Sequence, residues 1–146
     1  MSDAYAAIAN LIALYAERID GGDIEGVGDL FADAEVSSSA MGTSWRGRQA
    51  AIDFYRSVLQ LYEDGTPRTK HVTTNLLIEI DDAAGTATCR SYFTVLQEVP
   101  GSGRLQPITA GRYHDEFAEH DGSWRFTRRL IIRELDGDLS EHMLRR

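Results

Sequence analysis

The stretch Lys70-His71-Val72-Thr73-Thr74-Asn75-Leu76-Leu77-Ile78-Glu79-Ile80 marks the point at which the chain changes period. Upstream of it, apolar residues recur three and four apart, as on the buried face of a helix. From Thr69 onward they recur on the two-residue period of a strand. Strict alternation through the stretch sets His71, Thr73 and Asn75 on one face, against Val72, Leu76, Ile78 and Ile80 on the other. Residues 86–99, 105–119 and 123–135 continue as long segments rich in Val, Ile, Thr and aromatic side chains. Their connections, Asp81-Asp82-Ala83-Ala84-Gly85, Pro100-Gly101-Ser102-Gly103 and Asp121-Gly122, carry hairpin chemistry, so the four segments read as a meandering antiparallel sheet. Gly101-Ser102-Gly103 joins strands rather than opening a helix, which makes it a hairpin and not a phosphate loop.

Working back from that stretch, residues 3–20 read as a helix. Ile8, Leu11, Ile12, Tyr15 and Ile19 form its apolar stripe, and Ala9, Ala13, Ala16 and Asp20 form a flank that a neighbour can approach closely. Gly21-Gly22 stops this helix, and Asp23 is placed to cap the next. The second helix is short, with Ile24, Val27, Leu30 and Phe31 at helical spacing and Gly26 and Gly28 weakening it. Residues 34–46 read as a strand and a turn around Met41-Gly42. A third helix follows Gly47 and runs to about Tyr62, with Ile52, Tyr55, Leu59 and Tyr62 on one face and Phe54, Val58 and Leu61 beside them. From about Asp136 the residues read as a polar, mobile tail (136–146). The whole, residues 1–146, is one α+β domain: three N-terminal helices packed on a curved antiparallel sheet. Helices on the concave face of such a sheet leave a cone-shaped cavity, a common place for a small-molecule pocket.

Composition narrows the function classes. A length of 146 residues fits one domain. Fifteen Lys and Arg against 23 Asp and Glu leave a net charge of -8, which argues against nucleic acid as a partner. The chain also lacks the polybasic stretch of a membrane-surface protein. No apolar run approaches the roughly 20 residues that span a bilayer. Met1-Ser2-Asp3 lacks the basic start and apolar core of a secretory signal, so the cytoplasm is the expected compartment. Cys89, the single cysteine, reads as a small buried strand residue and excludes a paired-cysteine metal motif. His114, His120 and His142 are scattered, and no metal site is expected. Both faces of residues 70–80 and 86–99 carry apolar side chains, among them Val72, Leu77, Ile78, Phe93 and Leu96. Helices cover one face only, so a homodimer through the outer face of the sheet is expected.

Several segments together resemble the nuclear-transport-factor-2-like superfamily, and within it the SnoaL-like group of polyketide cyclases, scytalone-dehydratase-like enzymes and dehydrochlorinases. They are Tyr15-Ala16-Glu17-Arg18-Ile19-Asp20, Leu30-Phe31-Ala32-Asp33, Gly47, Lys70-His71-Val72-Thr73-Thr74-Asn75, Gly111-Arg112-Tyr113-His114-Asp115 and Asp121 to Arg129. The resemblance implies a catalytic pair, Asp20 at the end of the first helix and His71 at the start of the first long strand. It implies a Tyr15 matching the dehydratase type and an Arg129 matching the dehydrochlorinase type. Tyr15, Phe54, Tyr92 and Arg129 are the expected substrate-binding residues. Alternation places one of Arg128 and Arg129 inward and the other outward, and a strand bulge would exchange them.

An imidazole takes up a proton near neutral pH, and a carboxylate on its other nitrogen fixes the tautomer and stabilises the imidazolium. An Asp20–His71 dyad in an apolar cavity is therefore suited to act as a general base on carbon, opening elimination, isomerisation or cyclisation without a cofactor. The expected ligand is a small, largely apolar ring. The alternatives are a small-ligand-binding or interaction module without turnover, and a structural subunit resembling the β chain of ring-hydroxylating dioxygenases.

Overall fold

A computed structural model of the chain describes residues 3–144. Met1 and Ser2, on which the signal-peptide argument rested, and the last two residues of the expected tail lie outside the described residues.

Helix α1 spans Ala4–Asp20 and is capped by Asp3, whose carboxylate accepts from the Ala6 amide at 3.1 Å. Its stripe of Ile8, Ile12, Tyr15 and Ile19 is buried against the sheet. Asp23 caps α2 (Ile24–Leu30) through the Gly26 amide at 2.9 Å. The glycines that weaken α2 have a packing reason. A Cβ on Gly28 would come within 2.7 Å of the Ile52 side chain, so α2 and α3 (Arg48–Val58) meet where no larger residue fits.

Strands β1 (Glu35–Ser38), β2 (Thr43–Arg46), β3 (Thr69–Asp81), β4 (Thr86–Glu98), β5 (Leu105–His120) and β6 (Ser123–Asp136) form one six-stranded sheet in the order β2-β1-β6-β5-β4-β3. The expected hairpins β3–β4, β4–β5 and β5–β6 are antiparallel. The sheet is nevertheless mixed. β1 pairs parallel with β6, Val36 beside Arg129, and carries β2 as an antiparallel edge. The three helices lie on the inner face of this sheet, around a core that includes Phe31, Val36, Phe93, Phe117 and Phe126.

Three expectations need correcting. Alternation fails in β3 at Asn75, whose φ of 58° lies in the left-handed region, and the register shifts between Thr74 and Leu77. The extra residue turns Leu76, Ile78 and Ile80 onto the core face, the same face as His71, while Leu77 turns outward. Leu76, Ile78 and Ile80, expected with Val72 on the face away from His71, are thus core-facing residues. The third helix ends at Val58 rather than near Tyr62, because Leu59 is extended (ψ 133°) and bridges to Met143. The chain beyond Asp136 does not read as a free tail within the described residues: it returns over the end of α3, with Leu139 and Met143 packed on the core and His142 buried.

Candidate active site

Asp20 is the last residue of α1, and its carboxylate reaches the start of β3. Oδ2 accepts from the His71 amide at 2.8 Å; Oδ1 accepts from the Thr69 hydroxyl at 2.8 Å and meets His71 Nδ1 at 2.6 Å. The two side chains are 8% and 7% exposed. Burial alone would push the Asp20 carboxyl up, but the bonds from His71 and Thr69 outweigh it and hold the group below its usual range. An ionised carboxylate only accepts, so Nδ1 carries the proton and Nε2 is left as the basic nitrogen.

His71 lines a cavity of about 110 Å³ between the helices and the sheet. The wall is largely aromatic and aliphatic: Tyr15 and Ile19 from α1, Phe54, Tyr55 and Val58 from α3, Phe93 from β4, Tyr113 from β5 and Ile131 from β6. Met41 from the β1–β2 turn and Leu139, His142 and Met143 from the C-terminal strap also line it, and Ser38, Thr109 and Arg133 add polar groups. The Tyr15 and Tyr55 hydroxyls are 3.0 Å apart, and burial pushes both phenols above their ordinary range. They stay protonated and act only as neutral hydrogen-bonding groups. Tyr15 meets the His71 ring edge-on at 6.0 Å between centroids.

Of the six expected site residues, the structure brings Tyr15, Phe54, Asp20 and His71 together. Tyr92 is not with them. It is 53% exposed on the outer face, and its neighbour Phe93 takes the inward place, stacked on Tyr113 at 4.6 Å. Arg129 does face inward, because a register shift between Glu116 and Phe117 exchanges it with Arg128. It does not line the cavity. It is fully buried and forms a two-pronged ion pair with Asp115 at 2.8 and 3.0 Å. Its guanidinium lies between the Tyr113 ring (3.7 Å) and the Tyr15 ring (4.5 Å). Arg129 is a charge beneath the cavity floor rather than a ligand contact. Sequence reasoning missed Tyr55, Tyr113 and His142 as wall residues. Leu139 and Met143, four apart around His142, were the available sign that this segment packs. Among the described residues, no group of three or more His, Cys, Asp or Glu side chains converges as metal ligands would.

The family model for the SnoaL-like domain matches residues 1–130, nearly all of the elements just described. The chain belongs to the SnoaL-like family. Among curated proteins, none matches it by sequence. The SnoaL-like chain is similar in structure to an NTF2-like protein with a cystatin-like fold from Novosphingobium aromaticivorans (22% identity, 94% of this chain and 85% of that one, TM-score 0.73). It is similar to a protein of the same bacterium provisionally described as a scytalone dehydratase (22%, 92% and 86%, TM-score 0.71). It is also similar to a hexachlorocyclohexane dehydrochlorinase from Novosphingobium barchaimii (21%, 93% and 90%, TM-score 0.71). At these identities the likeness is one of fold, and this SnoaL-like chain has the NTF2-like, cystatin-type α+β fold.

Proposed function

We propose that this SnoaL-like protein is a cofactor-independent lyase or isomerase that removes a proton from carbon in a small ring. The observation that carries the reading is the Asp20–His71 pair, 2.6 Å apart and buried at the wall of an apolar cavity. His71 Nε2 takes a proton from a ring carbon, and the C–H pair becomes a C=C bond. A hydroxyl on the adjacent carbon departs with its own bonding pair, accepts the proton back from the imidazolium and leaves as water. In an isomerisation the imidazolium returns the proton to another carbon. Asp20 accepts a hydrogen bond from Nδ1–H throughout and stabilises the transient cation. No electron leaves or enters, so no redox cofactor is called for. Structural neighbours that include a dehydrochlorinase and a protein provisionally described as a scytalone dehydratase support the reaction class.

The cavity size limits the ligand to a single small ring. An engineered apolar cavity of about 150 Å³ holds benzene, and the volume here is about 110 Å³. The test is a screen of hydroxylated and halogenated six-membered rings for elimination. On any substrate found, His71→Ala is expected to lose turnover, and a wild-type rate in that variant sinks the mechanism. If no ring turns over but rings bind, the non-catalytic module is the better reading.

A further inference from the structure

A second imidazole stands at the same cavity. His142 is 6% exposed, lines the cavity with His71, and its ring centroid lies 6.3 Å from that of His71. Its backbone is fixed on both sides. The His142 carbonyl accepts from the Gln60 amide at 2.9 Å, and the Leu144 amide donates to the Val58 carbonyl at 2.7 Å. The neighbouring Glu141 carbonyl accepts from Gln97 Nε2 at 3.1 Å and from the Tyr62 hydroxyl. Against that firm backbone, His142 Nδ1 is buried with no hydrogen-bond partner.

A buried polar atom left alone is destabilising, and an apolar residue here would avoid that cost. Several other polar groups on the wall are engaged: Tyr15 with Tyr55, His71 Nδ1 with Asp20, and both Thr109 (3.1 Å) and Arg133 (2.9 Å) with Asp136. Among the described residues, His142 is the wall residue that carries a buried side-chain polar atom with no hydrogen-bond partner. It does not compete with His71 as a base. Burial, with His71 nearby, brings it down to about 4, so it meets a ligand as a neutral ring.

We propose that His142 is a substrate-recognition residue whose ring nitrogen hydrogen-bonds a hydroxyl on the ring bound in the cavity. This rests on the reading of the cavity as a lyase or isomerase site, and it names the substrate class: an oxygenated ring in preference to a hydrocarbon or halogenated ring of the same shape. A hydroxyl donates and accepts, so it satisfies the imidazole in either tautomer. A methyl group or chlorine leaves the nitrogen stranded. A site built to bond a hydroxyl discriminates strongly against the analogue that lacks it.

The test uses phenol and toluene, which have the same shape and differ in hydroxyl against methyl. Both are inert toward elimination, so the result stands apart from whether His71 is a base, which turnover of His71→Ala decides. Dissociation constants are measured by NMR titration for the wild type, His142→Leu and His142→Gln. His142→Leu is expected to move the phenol-to-toluene ratio toward toluene by about tenfold or more, with His142→Gln in between. In the wild type, which needs no variant to fold, saturating phenol is expected to shift the ¹⁵N resonance of the His142 ring and toluene to leave it in place. An unchanged ratio in a folded His142→Leu, an unmoved resonance under phenol, or no phenol binding at millimolar concentration would each overturn the proposal.

Discussion

Asp20 holds three hydrogen-bond donors with two oxygens, and this shapes what its replacement does. In Asp20→Asn an NH₂ group replaces one oxygen: at Oδ1 it faces His71 Nδ1 and the Thr69 hydroxyl and upsets the tautomer, and at Oδ2 it faces the His71 amide and breaks the backbone anchor. Turnover is expected to fall roughly 10²–10⁴-fold in Asp20→Asn and in His71→Ala. The double variant should be little worse than His71→Ala alone, because the two act as a unit; additive losses in the measured rates would contradict this. Asp115 and Arg129 behave differently. Both are fully buried, and removing one strands the other, a loss of about 3–5 kcal/mol. Asp115→Asn or Arg129→Met should therefore lower the melting temperature far more than either dyad change. A denaturation midpoint close to wild type would show that the pair is dispensable. The residues of the dyad were legible because their place at the end of one helix and the start of one strand matches a known pattern. Arg129 and Tyr92 were not, since one extra residue in a strand reverses which of two neighbours faces in.

At the scale of elements, the helices and hairpins were legible because periods of 3.6 and 2 leave different apolar patterns. The bulge at Asn75, the early end of α3 and the strap were not. Each depends on contacts distant in sequence, as when Leu59 leaves helical geometry to bridge Met143. The strap carries its own pH dependence. Burial lowers His142 from 6.5 to about 4 in the folded chain. Between those values the unfolded chain binds the extra proton, so stability is complete above about pH 6.5 and falls as the pH drops toward 4. The loss is at most about 3 kcal/mol. Asp20, held below its usual 3.8, gives way in a separate, lower window. Melting curves across pH 4–7 should therefore slope less in His142→Leu than in the wild type. Equal slopes would mean that protonation of His142 is not what loosens the strap.

For the molecule as a whole, the helices cover one side of the sheet, and the other side presents Val72, Leu77 and Tyr92 at 40%, 57% and 53% exposure. These lie on β3, an edge strand, and its neighbour β4. Exposed apolar side chains grouped on an edge strand and its neighbour support the expectation of a homodimer through this face. Sedimentation of the wild type at micromolar concentration should show a dimer, and Leu77→Glu with Tyr92→Glu should return it to a monomer. A wild type that sediments only as a 16.2 kDa species would end that idea.

The parallel seam between β1 and β6 sets the order in which the chain can be completed. Glu35 sits beside Arg128, so the strand that follows α2 waits for the last strand of the sheet before it has a partner on that side. Closing so long a loop costs entropy before any contact repays it, which slows folding. On the ribosome, the β1–β2 hairpin emerges without its partner in the sheet until β6 is made. A nascent chain stalled at Gly122 should stay open to protease and to chaperones that hold exposed apolar segments. One that includes Asp136 and clears the exit tunnel should resist digestion. Equal resistance at both lengths would show that the first half folds without its distant partner.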